Sequence, residues 1–259
     1  MGARRAWIGL ATLVALVTLW VALSVTGLVS AARFPSPKDF WLSLSQITLK
    51  GYAGGLLVTH ALHSLLLIAL GFCAATVTGV PLGLWMGWSR RAEAAINPIF
   101  LIVRPIPPLA WIPLAILWLG LGDAAKVLVI WFAAFVPSVI NTFTGVRTID
   151  RSIIEAARML GTPSRRFIVE VLFPAAAPMI FTGLRLSLQA AWTTLVAAEL
   201  VGALVGLGFV LNMAQQDIYP GMIMVGMVAV GVLGFATTFL LARVERAALG
   251  WNVAAGGGH

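Results

Sequence analysis

The chain has 259 residues, of which 60% are hydrophobic and only 10% charged, with a mean hydropathy of +0.99. Those values exclude an ordinary soluble domain and describe a chain dissolved in bilayer. The net charge of +8 does not point to nucleic acid, because the arginines sit at the ends of apolar runs rather than along one helical stripe. The lone Cys73 lies in an apolar run and excludes a disulfide framework.

Arg4 and Arg5 precede an uncharged stretch, Trp7 to Ala32, too long for a signal-peptide core and without a clear cleavage site. It reads as a retained first membrane helix, about Trp7 to Val29. Phe34-Pro35-Ser36-Pro37 opens an extramembrane connection, and between Lys38 and Lys50 the residues Phe40, Trp41, Leu44 and Ile47 recur at helical spacing. An interfacial amphipathic helix is expected there. No charge occurs from Gly51 to Ser89, so a second span is expected at about Ala61 to Trp88. His60 and His63 lie one helical turn apart, but no third ligand accompanies them, and they read as interfacial histidines rather than a metal site.

Arg90 and Arg91 end that span. Arg104, Pro105, Pro107, Pro108, Trp111 and Pro113 then mark a stretch that cannot start as a regular helix, since each proline removes an amide donor. Irregular backbone survives in a membrane only where protein or water covers it. The stretch is therefore expected to be buried against other helices, either as part of a gate or simply fixing where a short third span, about Pro108 to Leu121, begins. A fourth span is expected at about Ala125 to Val146.

Residues 150–174 form a charged island. Arg151, Glu155, Arg158, Arg165, Arg166 and Glu170 cluster between long apolar segments. A short helix, Ser152 to Leu160, should be closed by Gly161, with Pro163 preventing its continuation. Ala156 and Ala157 should leave one side of it flat enough to dock into another protein. The fifth span, about Pro178 to Val201, holds Arg185 and Glu199, which are 14 residues apart and so about 21 Å apart along the axis, too far to pair. Arg185, Gln189, Trp192 and Glu199 share roughly one face, which should look into protein or water because a lipid-facing charge is costly. Residues 202–220 read as an exposed connection, and the sixth span as about Gly221 to Ala242. Six spans place both termini on one side, with eleven cations there, four on the other, and Arg104 and Arg185 assigned to neither. The arginine-rich side is cytoplasmic by the positive-inside rule.

Catalytic chemistry is missing from this pattern. No lysine follows a Gly-rich run as in a phosphate-binding loop, and no Ser/His/Asp or Cys/His grouping or close carboxylate pair is present. An ATP-independent channel or a structural membrane subunit fits composition and spans equally well. The charged island separates the readings.

Its order resembles the cytoplasmic EAA loop of ABC-importer permeases: Glu155, Ala156, Ala157, Gly161 and Pro174 stand in the family's places, with Val171 and Phe173 for the usual Ile and Leu. Arg104 to Leu114, Thr182 to Leu186 and Trp192 to Leu200 resemble the branch serving taurine, alkanesulfonates and nitrate, most of all its taurine permeases. The resemblance runs from about residue 34 to 251. It implies an all-α membrane protein of six transmembrane helices with the type I importer permease (MetI-like) fold. On that scheme residues 1–30 are the N-terminal membrane helix, 31–60 a periplasmic connection, 61–250 a permease core of five membrane helices, and 251–259 a flexible tail. It further implies a second copy of the chain, two cytoplasmic ABC ATPase subunits that bind ATP and Mg, a periplasmic binding protein, surrounding lipid, and no cofactor, metal or nucleic acid held by this chain. Glu155, Ala156, Ala157, Arg158, Gly161 and Arg165 would couple to the ATPase. Arg185, Gln189, Trp192 and Glu199 are candidates for the translocation path. Arg185 either offers a positive charge to a passing anion or is a buried structural arginine paired with a carboxylate or carbonyls. Glu199 is expected nearer the periplasmic end, holding helices or meeting the binding protein.

Overall fold

The computed structural model describes residues 2–25, 35–163 and 166–250. The end of the expected first span, Phe34, Arg165 and the tail 251–259 lie outside the described residues. Regular structure among them is helical, apart from one isolated bridge, Tyr52–Gly55. In chain order the helices are α1 (Gly2–Val25), α2 (Pro37–Ser45), α3 (Leu57–Trp88), α4 (Arg90–Val103), α5 (Ile112–Leu119), α6 (Asp123–Arg147), α7 (Arg151–Met159), α8 (Phe173–Gly202), α9 (Leu207–Gln216) and α10 (Pro220–Ala248). By length and composition four cross a membrane: α3, α6, α8 with its preceding turn, and α10; the bent pair α4–α5 makes a fifth.

Glycine decides how closely the central helices meet. On α3, Gly71, Ala75, Gly79, Gly83 and Gly87 recur every four residues, making one small-residue stripe that lies against α6. A Cβ on Gly83 would stand 2.7 Å from Val139 O and from Thr142 Cβ. Across the other side of α6, a Cβ on Gly183 of α8 would meet Asn141 Cβ at 2.6 Å. Between α6 and α8, Ser187 donates to Ala134 O at 2.7 Å and shares a hydrogen bond with Ser138 at 2.9 Å, so both buried hydroxyls are satisfied. Leu67, Ile130, Ala134, Leu188, Ala191 and Leu195 close the core around this contact.

Several elements differ from the sequence reading. The third span is not the short Pro108 to Leu121 segment alone. α4, a helix where none was assigned, precedes it, and the two halves meet at 84° across residues 104–107. The proline stretch is irregular only over 104–107, because Pro108 and Pro113 fall in the first turns of a 3-10 helix, Pro108–Trp111, and of α5, where a missing amide costs nothing; Arg104, Pro105 and Pro107 are exposed on this chain rather than buried against its other helices. The fifth span starts earlier than Pro178: a wide π turn, Phe167–Leu172, runs directly into α8. There the Phe173 amide reaches five residues back to Ile168 O, slipping the register just before Pro174, which has no amide to give. Half of the expected charged loop is therefore helix. Finally, residues 202–220 are not simply an exposed connection. They hold α9, whose Leu207, Val210 and Ala214 are fully buried against Ile47 of the turn after α2 and Met222 and Val225 of α10.

α2 begins as its sequence dictates. Ser36 accepts from the Asp39 amide at 3.2 Å while the Asp39 carboxylate accepts from the Ser36 amide at 2.9 Å, a capping box ahead of Pro37. These hydrogen bonds hold the Asp39 carboxyl below its usual range.

Gly83→Ala should lower thermal stability in detergent by about 1–3 kcal/mol, because the neighbour that must yield is backbone. Gly231→Ala, whose new Cβ meets nothing within 4 Å, should leave it unchanged.

Candidate functional site

The short helix α7 is built to be presented outward. Asp150 caps its start, accepting from the Ser152 amide at 3.0 Å, and that bond holds the Asp150 carboxyl below the usual range. Its end is a complete Schellman turn: the Gly161 amide donates to Arg158 O at 3.0 Å and the Thr162 amide to Ala157 O at 3.2 Å, with Gly161 at φ +67°. The helix thus stops at the residue type expected to stop it. The two alanines, however, do not share an outer face. Ala157 is 7% exposed and packs with Val146, Phe167, Leu172 and Ala176, whereas Ala156, Glu155 and Arg158 point outward. One alanine anchors the helix and the other leaves its outer face low. Met159 and Leu160, 87% and 84% exposed, complete the tip and were not singled out in the sequence, where an apolar pair beside a glycine looks like any helix end.

Arg185 pairs with Glu245 of α10, at the edge of a ≈ 400 Å³ cleft that Pro178, Thr238, Ala242 and Arg246 also line. The carboxylate partner lies 60 residues away, beyond any local pattern. Gln189 is exposed. Trp192 is buried, its Nε1 donating to Thr237 Oγ1 of α10 at 3.0 Å.

Glu199 is fully buried, and its partners explain how a carboxylate survives among apolar helices. One oxygen accepts from Ser64 Oγ at 2.7 Å and the other from the Gly208 amide at 2.7 Å. Ser64 Oγ in turn accepts from the Leu207 amide at 3.0 Å, and His60 Nδ1 from the Gly206 amide at 3.1 Å. The orphan amides opening α9 are thus satisfied by side chains of α3 and α8. His60 must carry its proton on Nε2, which donates to Tyr52 O at 3.1 Å. The Tyr52 hydroxyl reaches Asp217 at the far end of α9 at 2.5 Å, and burial with this carboxylate pushes the phenol up in pKa. His60 is therefore buried rather than interfacial. His63 points elsewhere, to Asp123 at 3.0 Å, which also accepts from Lys126. Ser64, one turn after His60 on α3, was the legible clue to this clamp.

At the bend between α4 and α5, Trp111 stacks on Phe132 of α6 with centroids 4.3 Å apart and an interplanar angle of 11°. Arg104, Ile106, Trp111, Phe132 and Val136 line one cleft of ≈ 140 Å³. At its other end, α4 is tied to the end of α6 by the ion pair of Glu93 with Arg147.

The family model for the inner membrane component of binding-protein-dependent transport systems matches residues 79–249. The chain belongs to this family. It is 33% identical over 250 residues to the taurine transport system permease protein TauC of Escherichia coli (strain K12), covering 96% of this chain and 91% of that one. It is 35% identical over 250 residues to the putative aliphatic sulfonates transport permease protein SsuC of Bacillus subtilis (strain 168), covering 96% and 89%. Among solved structures, the MetNI methionine ABC transporter in inward-facing conformations shares the fold with a TM-score of 0.66 at 21% identity, over 74% of this chain and 95% of that one. The permease is thus a non-catalytic component of a binding-protein-dependent ABC importer and a multi-pass inner-membrane protein.

Three substitutions test these contacts. Glu199→Gln should cost the permease about 1–3 kcal/mol of stability in detergent, since an amide cannot accept from both Ser64 and Gly208 without turning a donor toward one of them. Arg185→Gln should also destabilise by stranding Glu245, and adding Glu245→Gln should recover most of that loss. A double variant no more stable than the single one would show that the ion pair carries none of the effect.

Proposed function

We propose that the permease forms the translocation path of an ATP-driven importer for a small sulfonate such as taurine, delivered by a periplasmic binding protein, with ATP and Mg held by two partner ATPase subunits. The observation that carries the reading is α7: a capped, outward-facing helix fixed to the core by Ala157 and ending in an exposed apolar tip. Glu155, Ala156, Arg158 and Gly161 would be its docking elements, Arg165 continuing the same loop. The EAA-like spacing and the arginine-rich flank set this end in the cytoplasm. The sulfonate cargo is supported by relatives whose names specify taurine and aliphatic sulfonates.

In this arrangement α1, with its uncharged run from Trp7, serves as a sixth span, leaving both termini cytoplasmic. A second copy of the permease completes the path. The exposure of residues 104–107 on the single chain supports that partner, since bent, proline-rich backbone at membrane depth needs protein or water beside it. Arg104, Pro105, Pro107, Pro108 and Trp111 would form the movable wall, and Arg185 and Gln189 a more distant part of the path. Trp192 and Glu199, both occupied by protein partners, act in holding α9 and α10 to the bundle.

The deciding experiment is reconstitution of the permease with its ATPase and binding protein in vesicles. ATP-dependent taurine uptake is expected, and uptake of nitrate without any sulfonate would replace the cargo. Gly161→Val should abolish uptake and ATPase stimulation while the permease still folds: nothing crowds a new Cβ there, yet a β-branched residue resists φ +67° by about 1–2 kcal/mol. Gly161→Asn should retain much of the activity, because asparagine tolerates that conformation. Wild-type uptake by the valine variant would rule out the docking role.

A further inference from the structure

The geometry points to the cleft at the α4–α5 bend as a transient site for an organic anion, with Arg104 meeting the oxyanion and Trp111, Phe132, Ile106 and Val136 enclosing a short carbon stem. This rests on the reading of the permease as a path for small sulfonates and names the place where this chain would meet them.

Three observations converge on it. The first concerns charge. Among the described residues Arg185 is matched by Glu245, Arg147 by Glu93 and Lys126 by Asp123, while Arg104 has no carboxylate partner and no side-chain hydrogen bond to the chain. Its guanidinium keeps a full charge and five free donors, suited to two oxygens of one anion at once. The Arg185 guanidinium already has a carboxylate beside it in Glu245.

The second concerns water. Arg104, Pro105 and Pro107 are exposed at the break in a span. Pro105 and Pro108 give no amide to the carbonyls four residues behind them, those of Leu101 and Arg104. Neither those carbonyls nor an unpaired arginine is stable against lipid. The bend must therefore be met by the second copy or by water, and a bend at the junction of two copies borders the aqueous path between them.

The third concerns shape. The cleft measures ≈ 140 Å³, room for about four or five waters or one small solute. Its inner wall is apolar: Trp111 stacks on Phe132 with centroids 4.3 Å apart, and Ile106, Pro108, Ala133, Val136 and Pro137 extend it. A wall of that kind offers an inorganic oxyanion nothing that water does not. It offers a stem of one or two methylenes an apolar seat. The single charge at the rim, in contact with water, gives weak retention, as a path needs.

The test uses the assembled transporter carrying Ile106→Cys as a reporter inside the cleft, with the exposed native Cys73 replaced by serine. Two water-borne thiol reagents of similar size are compared: sulfonatoethyl methanethiosulfonate, which is anionic, and its trimethylammonioethyl counterpart, which is cationic. The anionic reagent should react faster, and Arg104→Gln should reduce the ratio of the two rates at least about tenfold, while Arg104→Lys retains most of it. Excess ethanesulfonate should slow labelling more than equal nitrate does, and Trp111→Ala should remove that difference. Equal rates with both reagents, no reaction with either, or a preference that survives Arg104→Gln would each overturn the site. Equal protection by nitrate would overturn the role of the apolar wall. Should Arg104→Gln fail to assemble with the ATPase, the competition between ethanesulfonate and nitrate on the Ile106→Cys protein decides alone. Uptake assays on the same vesicles keep the two readings apart: absent sulfonate import with the rate preference intact defeats the cargo assignment and leaves the anion cleft in place.

Discussion

The backbone of α6 is approached by α3 on one side and α8 on the other to distances that only glycine permits. In lipid there is no hydrophobic force pressing helices together, so close packing and a few internal hydrogen bonds must hold the bundle. The stripe from Gly71 to Gly87, Gly183 on α8 and the Ser138–Ser187 bridge supply these. Everything outside the trio is positioned from it. α7 hangs between the ends of α6 and α8, and its orientation is set by Ala157 seated against Val146 and Phe167. The bent pair α4–α5 lies along α6 through Trp111 and Phe132, and α9 is hung from α3 and α8 through His60, Ser64 and Glu199.

Charge inside an apolar chain is costly unless something answers it, and the permease answers it in three different ways. Glu199 is answered by two hydrogen-bond donors, the Ser64 hydroxyl of α3 and the Gly208 amide at the start of α9. Arg185 is answered by a carboxylate on another helix. Arg104 is answered by neither within this chain and is exposed at the bend. These three outcomes sort residues that look equivalent in the sequence into a clamp, an ion pair and a charge free to meet a passing anion. They also show why a shared helical face is a weak guide to a path. Arg185, Trp192 and Glu199 do lie roughly along one side of α8, yet each is taken by a different neighbour.

The clamp around α9 links two regions that function must keep in step. It begins at the Glu199 end of a membrane helix, passes through the α9 amides and His60 to the Tyr52 loop, and closes on Asp217. Tyr219 adds a bond from its hydroxyl to Gln46 at 3.0 Å. The outer lobe, formed by α2, the loop through Tyr52 and α9, is therefore tied to the central bundle by polar contacts with definite partners rather than by apolar packing alone.

How much of this was legible without coordinates follows from the range of each interaction. Local rules sufficed for the spans of α3, α6 and α10, because twenty-odd uncharged residues have one stable state in a bilayer. They sufficed for the stop at Gly161, where a turn needs positive φ, and for the break in the helix at residues 104–107, where amides are missing, though not for the helical turns that resume at Pro108. The EAA-like spacing of Glu155, Ala156, Ala157 and Gly161 likewise carried the family. What the sequence could not show was which partner each long-range group would take. Ser64 meets Glu199 across 135 residues, and Tyr52 meets Asp217 across 165. Nothing near Arg185 indicated Glu245, nothing near Arg104 indicated its lack of a partner, and nothing distinguished Ala156 from Ala157. Periodicity places a side chain on a face of its own helix. Only the packing of glycine-lined helices against one another decides what that face meets.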